Sequence, residues 1–362
     1  MVGNKCEFKT MKISVIGAGN GGQAIAGFCA AMGASVCLYN HRWERISSIA
    51  GHIHLAGAIK MTGNLDLLTD NIKEAVSFAD TIMIVTTASA HRELARLMSP
   101  YLRDGQVIIL NPGRTFGLLE YCSVLHEYNP ALRVYAAEAQ TLVYACREQS
   151  PGCINIIGVK ERVLLAGRSK EETNLVIEKL RPIYSCFIPA TLAQTSLENI
   201  GAIFHPPVVL FNAATIERNT PFYFYRDMTP NIAAFIQKLD QERLMLGKAV
   251  GVDLMPVNDW IKYAYPATVG DDLCERMRNN PAYHDILAPG SIFTRQLTED
   301  IPTGLLPMSE LARMLGVQTP LMDAIVEISI SLLGIDLRKN GRTLKNLGLS
   351  NMNKQDIIEL LS

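Results

Sequence analysis

The 362-residue chain has no long apolar run, no closely paired cysteines and no surplus of charge of either sign. Each absence removes a class of protein. No stretch reaches the roughly 20 apolar residues that a helix needs to cross a bilayer, so no membrane partner is expected. Lysine and arginine number 34 against 35 aspartates and glutamates, a formal net charge of −1. With no long basic stripe either, no nucleic-acid partner is expected. The eight cysteines are scattered and form no CxxC pair, so neither a disulfide framework nor a metal site is expected. Residues 1–10, MVGNKCEFKT, lack the apolar stretch of a signal peptide. Together with reduced thiols this predicts a cytoplasmic protein, with residues 1–10 an extension ahead of the first strand. The composition, 48% hydrophobic and 19% charged, suits a globular enzyme long enough for two cored domains.

What is present begins with a nucleotide-binding pattern. Lys12–Ile16 (KISVI) reads as a strand, Gly17-Ala18-Gly19-Asn20-Gly21-Gly22 follows at once, and a helix (Gln23–Met32) and a second strand (Ala34–Tyr39) come next. Strand, GxGxxG, helix and strand within about 30 residues is the dinucleotide-binding fingerprint in its proper setting. Gly17 allows the tight turn, Gly19 lets backbone approach a pyrophosphate, and Gly22 lets the helix pack on the strand. The helix N-terminus offers unpaired N–H groups to the phosphates. An acidic residue at the end of the second strand would accept hydrogen bonds from the ribose 2′-hydroxyl of NAD. Here stand Asn40, His41 and Arg42, with Arg45 just beyond, which leans toward NADP; the Asn40 amide can also serve NAD.

Further strands are expected at Thr81–Val85, Gln106–Leu110 and Val134–Ala137. Their following loops, with Thr87 in the first, face the cofactor side of an open parallel sheet. His91 opens a helix and reads as a local cap. Cys146 reads as structural, because no histidine or basic cluster is placed beside it. Cys153–Val159 and Arg162–Ala166 are expected to pair as a hairpin around Lys160-Glu161. The resulting fold class is a Rossmann-type, doubly wound α/β domain over residues 11–195, followed by an all-α domain over residues 196–362 with the active site between them.

The helical half opens on Ser196–Glu217, whose apolar spacing predicts one long helix with a kink after His205 at Pro206-Pro207. Taken alone, His205 reads as a core histidine beside a helix break. Thr229–Val250 is a strong helix, with Thr229 as N-cap and Pro230 at the first helical position. The stretch 294–304, TRQLTEDIPTG, reads as a polar loop carrying Arg295, Glu299 and Asp300. A carboxylate next to His205 would fix its tautomer, and an arginine can hold a substrate carboxylate through two hydrogen bonds. Trp260, Tyr263 and Tyr265 offer apolar walls, although core packing is the plainer role.

Across Met11–Leu349 the chain resembles the octopine/opine dehydrogenase family. The matching segments are GAGNGG, TLVYACR, NIGAIFHPP, TPNIAAFIQKLDQER, DWIKYAYP, TRQLTEDIPTGL and GRTLKNLGL. The resemblance implies an NAD(P)-dependent dehydrogenase that condenses an amino acid with a 2-oxo acid such as pyruvate and reduces the imine. It implies that His205 is catalytic, that Asp300 supports it and that Arg295 binds a substrate carboxylate. Asn199 is a further polar candidate, although six helical positions set it about 120° round from the imidazole. Partners are thus expected to be small molecules, with a homodimer allowed for. Two other functions compete. A 2- or 3-hydroxy-acid or ketopantoate-type reductase would place a lysine on the helix after the Rossmann domain, and Ser196–Glu217 contains none. A noncatalytic NADP sensor would not need His205, Arg295 and Asp300 together.

Overall fold

Twelve strands and fifteen α-helices make up most of the regular structure of the computed structural model, which describes residues 11–362. The expected extension at residues 1–10, with Cys6, lies outside the described residues. The chain divides into two compact units between Thr195 and Ser196.

In the first unit, β1 (Lys12–Ile16) is flanked by β2 (Ser35–Tyr39) on one side and β6 (Thr81–Ile84) on the other, both parallel to it. Outside these lie β5 (Leu67–Thr69), β7 (Val107–Leu110) and β8 (Tyr135–Ala139), also parallel. β11 (Val163–Gly167) joins β8 antiparallel, and β12 (Phe187–Pro189) pairs parallel with β11. The sheet order is therefore β12-β11-β8-β7-β6-β1-β2-β5. Strands β6 and β7 are buried along their whole length, as parallel strands covered by helices on both faces must be. Strand order reverses between β1 and β6, which puts a ligand crevice at their carboxyl ends.

A second sheet, β4-β3-β10-β9, was not foreseen. It is built from β3 (His52–Gly57), β4 (Met61–Asn64), β9 (Tyr144–Ser150) and β10 (Cys153–Val159). It corrects the expected hairpin: β10 pairs with β9 through the turn at Pro151-Gly152, where Gly152 adopts φ +75°, while β11 belongs to the large sheet. The signal was local, because Pro-Gly marks a tight turn and Lys160-Glu161 does not. This sheet packs on α1 (Asn20–Ala31): a Cβ at Gly63 would lie 2.2 Å from the Gly27 carbonyl oxygen. Helices α2 (Ile72–Phe78), α3 (His91–Met98), α4 (Gly117–Tyr128) and α5 (Lys170–Leu180) complete the unit, α4 being unforeseen.

The second unit is all helical. The expected single helix over Ser196–Glu217 is corrected to three: α6 (Leu192–Leu197), α7 (Ile200–Phe211) and α8 (Ala213–Glu217). Helical backbone persists through Pro206 and Pro207, and the interruptions fall at Glu198-Asn199 and at Asn212. α9 (Pro230–Ala249) starts as foreseen, the Thr229 hydroxyl accepting from the Ile232 N–H. α10 (Val257–Ala264) and α11 (Leu273–Arg278) follow.

The stretch 294–304 is helical, contrary to the expected loop. α12 (Arg295–Thr298) passes into a π-turn over Ile301–Leu305 and then α13 (Leu306–Leu315). The Asp300 N–H donates to the Arg295 carbonyl and the Leu305 N–H to that of Asp300, both five residues back. Pro302 and Pro307 supply no amide donors, so the polar composition disguised a widened helix. α14 (Pro320–Leu333) and α15 (Lys354–Leu361) end the chain. Among the described residues no helix is long and apolar enough to cross a membrane, and no cluster suits a metal.

Candidate active site

The glycine turn has the geometry that a dinucleotide requires. Gly17 adopts φ +113°, and a Cβ there would lie 2.4 Å from the Val85 carbonyl oxygen. At Gly22 an added Cβ would stand 1.7 Å from the Gly17 oxygen, so only glycine lets α1 start against its own turn. Gly19 is exposed, and a Cβ there would meet no protein atom within 4 Å, which leaves room on the ligand side. Its lack of a side chain also leaves the first turn of α1 without a side-chain cap, so those amides remain available to an anion. Ala18 is buried in the turn, Gly21 packs beneath Leu142, and the Asn20 side-chain oxygen accepts from the Glu148 N–H at 3.3 Å. These residues fit a dinucleotide pyrophosphate.

At the end of β2 the Asn40 amide donates to the Arg42 carbonyl at 3.0 Å. Arg42 is exposed, and its guanidinium enters no ion pair among the described residues. Arg45 is committed: its Nε donates to the Ala18 carbonyl and its guanidinium pairs with Glu148. Thr87 lies exposed beyond β6, its hydroxyl 3.1 Å from that of Ser89. His91 is fully buried at the start of α3. Cys146 is buried and its thiol is pushed up to about 11 by that burial, which fits a structural role. A cavity of about 880 Å³ lined by Gly105, Tyr135, Arg168 and Glu172 opens at the amino ends of β7 and β8. It is at the wrong end of the strands for the fingerprint.

In the helical unit, the structure brings His205 and Asp300 together. The Nδ1 of His205 lies 2.7 Å from Asp300 Oδ2, and the Asp300 side chain is nearly fully buried. An ionised carboxylate only accepts, so Nδ1 is the donor in this pair and Nε2 is the ring nitrogen turned to the Tyr225 side. The imidazole side chain is 19% exposed, ringed by Phe204, Phe224 and Tyr225. Its Nε2 lies 3.1 Å from the Tyr225 hydroxyl.

Two supports set this geometry. A Cβ on Gly304 would lie 2.4 Å from Ala202 Cβ, so the glycine lets the π-turn press against α7 one turn before His205. The Arg342 N–H donates to the Pro302 carbonyl at 2.9 Å, seating the GRTLKNLGL segment against the same turn. The amino end of α7 is fixed by a buried network. Arg243, fully buried, donates to Asp240 at 2.8 Å, to the Leu197 carbonyl at 3.1 Å and to the Met255 carbonyl at 2.6 Å. Glu198 accepts from the Met255 N–H, and burial raises its carboxyl above the usual range.

Arg295 is exposed at the start of α12, with no ion pair among the described residues and its carbonyl holding the Asp300 amide. Asn199 is buried ahead of α7; a Cβ on Gly304 would lie 3.2 Å from its Nδ2, so it faces the π-turn. Trp260, Tyr265 and Tyr283 form an edge-to-face chain, whereas Tyr263 is 56% exposed and stands outside it. Tyr225 and Tyr283 were missed. Tyr225 lies in the tyrosine-rich stretch PFYFYRDM and Tyr283 in NNPAYHDI, neither with a helical or strand period.

Comparison with known proteins identifies the family of the chain. Residues 189–333 match the family model described as NAD/NADP octopine/nopaline dehydrogenase, alpha-helical domain, and residues 12–113 match NAD-dependent glycerol-3-phosphate dehydrogenase N-terminus. An opine dehydrogenase from Arthrobacter sp. (strain 1C) is 37% identical over 347 residues, covering 94% of this chain and 95% of that protein. A solved octopine dehydrogenase with NADH and L-arginine superposes with a TM-score of 0.79 at 21% identity, covering 96% and 98% of the two chains. A yersinopine dehydrogenase with NADP+ gives 0.67 at 15%, covering 98% of each. The chain therefore belongs to the opine dehydrogenase family and is an NAD(P)-dependent dehydrogenase that acts on CH–NH bonds by reductive condensation.

Proposed function

We propose that the protein condenses the amino group of an amino acid with the carbonyl carbon of a 2-oxo acid of pyruvate type and reduces the resulting imine, reversibly. Residues 11–195 would hold the cofactor through Gly17–Gly22, and residues 196–362 would carry the acid–base group. The observation that carries this reading is the 2.7 Å pairing of His205 Nδ1 with Asp300. It orients the imidazole so that Nε2 can take a proton from the attacking amine and return one to the departing hydroxyl. Asp300 stabilises the imidazolium formed in between and holds the tautomer. Arg295, with its guanidinium uncommitted, would receive a substrate carboxylate through two hydrogen bonds. Asn199 is better placed to order the π-turn than to touch substrate. Bound NAD(P)H supplies the hydride.

The exposed and uncommitted Arg42, with no acidic residue at the end of β2, favours NADPH over NADH. The free state of all seven described cysteines supports a cytoplasmic setting.

Cofactor oxidation measured with each substrate omitted in turn tests the reading. Absorbance loss should need both an amino acid and a 2-oxo acid; loss with the oxo acid alone would point to a hydroxy-acid reductase, and none with any pair to a sensor. Run with both cofactors, the assay should show Arg42→Ala losing about tenfold in kcat/KM for NADPH and little for NADH, as expected for one charge-assisted contact. Equal losses for the two cofactors would contradict that role.

A further inference from the structure

We propose that Tyr225 is a catalytic residue, the group through which His205 exchanges protons with substrate. The inference rests on the reading of His205 as the acid–base. Both imidazole nitrogens are engaged: Nδ1 lies 2.7 Å from the Asp300 carboxylate, and Nε2 lies 3.1 Å from the Tyr225 hydroxyl. A substrate proton reaches Nε2 only if the phenol swings away or passes the proton on. The phenol ring is held. Tyr225 is 9% exposed and stacks on Tyr283 with centroids 4.2 Å apart and planes 19° from parallel. Phe204 and Phe224 flank it at 5.5 and 4.8 Å. Its backbone is tied on both sides: the Phe224 N–H donates to the Ile286 carbonyl, and the Tyr225 carbonyl accepts from the Met228 N–H. Tyr283 is itself fixed, its hydroxyl 2.9 Å from that of Tyr265. Displacing the phenol would break this stack, whereas relaying a proton needs no movement of heavy atoms.

The steps balance. As the amine nitrogen bonds to the carbonyl carbon, the phenolic oxygen takes a proton from that nitrogen and gives its own to Nε2. The carbonyl oxygen is protonated to the carbinolamine hydroxyl when the imidazolium returns its proton through the phenol. Repeating the exchange, from nitrogen to hydroxyl, breaks the C–O bond and releases water, leaving the imine. Amine plus 2-oxo acid thus gives imine plus water, with no redox change until hydride arrives.

The test is Tyr225→Phe, read as the single-turnover rate of NADPH oxidation with both substrates saturating. The relay predicts a fall of about 10²-fold or more, with NADPH binding by fluorescence titration unchanged. It also predicts that the rate against deuterium fraction is bowed in the wild type, where two protons move together, and linear in the variant. A rate within about threefold of wild type with an unchanged curve overturns the relay, being smaller than any general-acid contribution. If phenylalanine disturbs the stack, 3-fluorotyrosine at position 225 keeps shape and hydroxyl while making the phenol more acidic. A changed rate and isotope curve then support the relay, and unchanged ones overturn it. Retained activity in His205→Ala would instead remove the underlying reading, so the two failures are distinguishable.

Discussion

Replacing His205 by alanine should lower turnover by about 10²–10⁴-fold, the range that general acid–base catalysis spans. NADPH affinity should be unchanged, because the cofactor contacts assigned to Gly17–Gly22 lie in the other unit. The size follows from the position of the imidazole. It is the group that joins a buried carboxylate, 2.7 Å from Nδ1, to a hydroxyl 3.1 Å from Nε2, and alanine separates the two. Stability should fall as well, since the substitution takes a 2.7 Å partner from the nearly buried Asp300 carboxylate. Stopped-flow NADPH oxidation and fluorescence titration of the same preparation separate these effects. A variant that turns over within tenfold of wild type would remove His205 from the chemistry.

The second large effect concerns folding. Asp240→Ala leaves the Arg243 guanidinium fully buried without its nearest carboxylate, with Glu198 only 3.7 Å away in reserve. It also strips the Val257 N–H, at the start of α10, of its acceptor. Removing one partner of a buried ion pair costs about 3–5 kcal/mol, far more than the pair itself adds to stability. Urea unfolding should show that loss in the helical unit, read through Trp260 in a Trp43→Phe background; Trp43 is 45% exposed and contributes little packing. The same variant should lower kcat, because Arg243 also holds the Leu197 carbonyl at the approach to α7. A loss below about 1 kcal/mol, the scale of an exposed pair, would mean that the network is hydrated in solution.

How much of this was legible in the sequence depended on how local each signal was. Strand β1, the fingerprint and the capped start of α9 are written in adjacent residues, and their positions agree with the structure to within three residues. The second sheet was not legible, because β3 pairs with β10 across almost 100 residues of chain and neither strand shows clean alternation. The stretch 294–304 misled through its composition. Charges and prolines read as a loop, yet the π-turn uses bonds to residues five back and places Asp300 against His205. Gly304 was a clue of the right kind, since a glycine inside a helix implies close approach, here to Ala202. Arg243, buried in the middle of a polar-looking helix, gave no sign of its burial, because its partners Asp240, Glu198, Leu197 and Met255 are what explain it. Tyr225 was hidden for the same reason: it lies in an irregular segment, and its role is defined by a contact 20 residues away.

Formation of the C–N bond before reduction is read most directly by isotope-resolved mass spectrometry of the product. Reaction of a ¹⁵N-labelled amino acid and a 2-oxo acid with NADPH deuterated at the transferring position should yield one secondary amine. That product should carry the ¹⁵N and a single deuterium on the carbon that was the carbonyl. A deuterated 2-hydroxy acid with the labelled amino acid unconsumed would mean that the enzyme reduces the oxo acid without condensation.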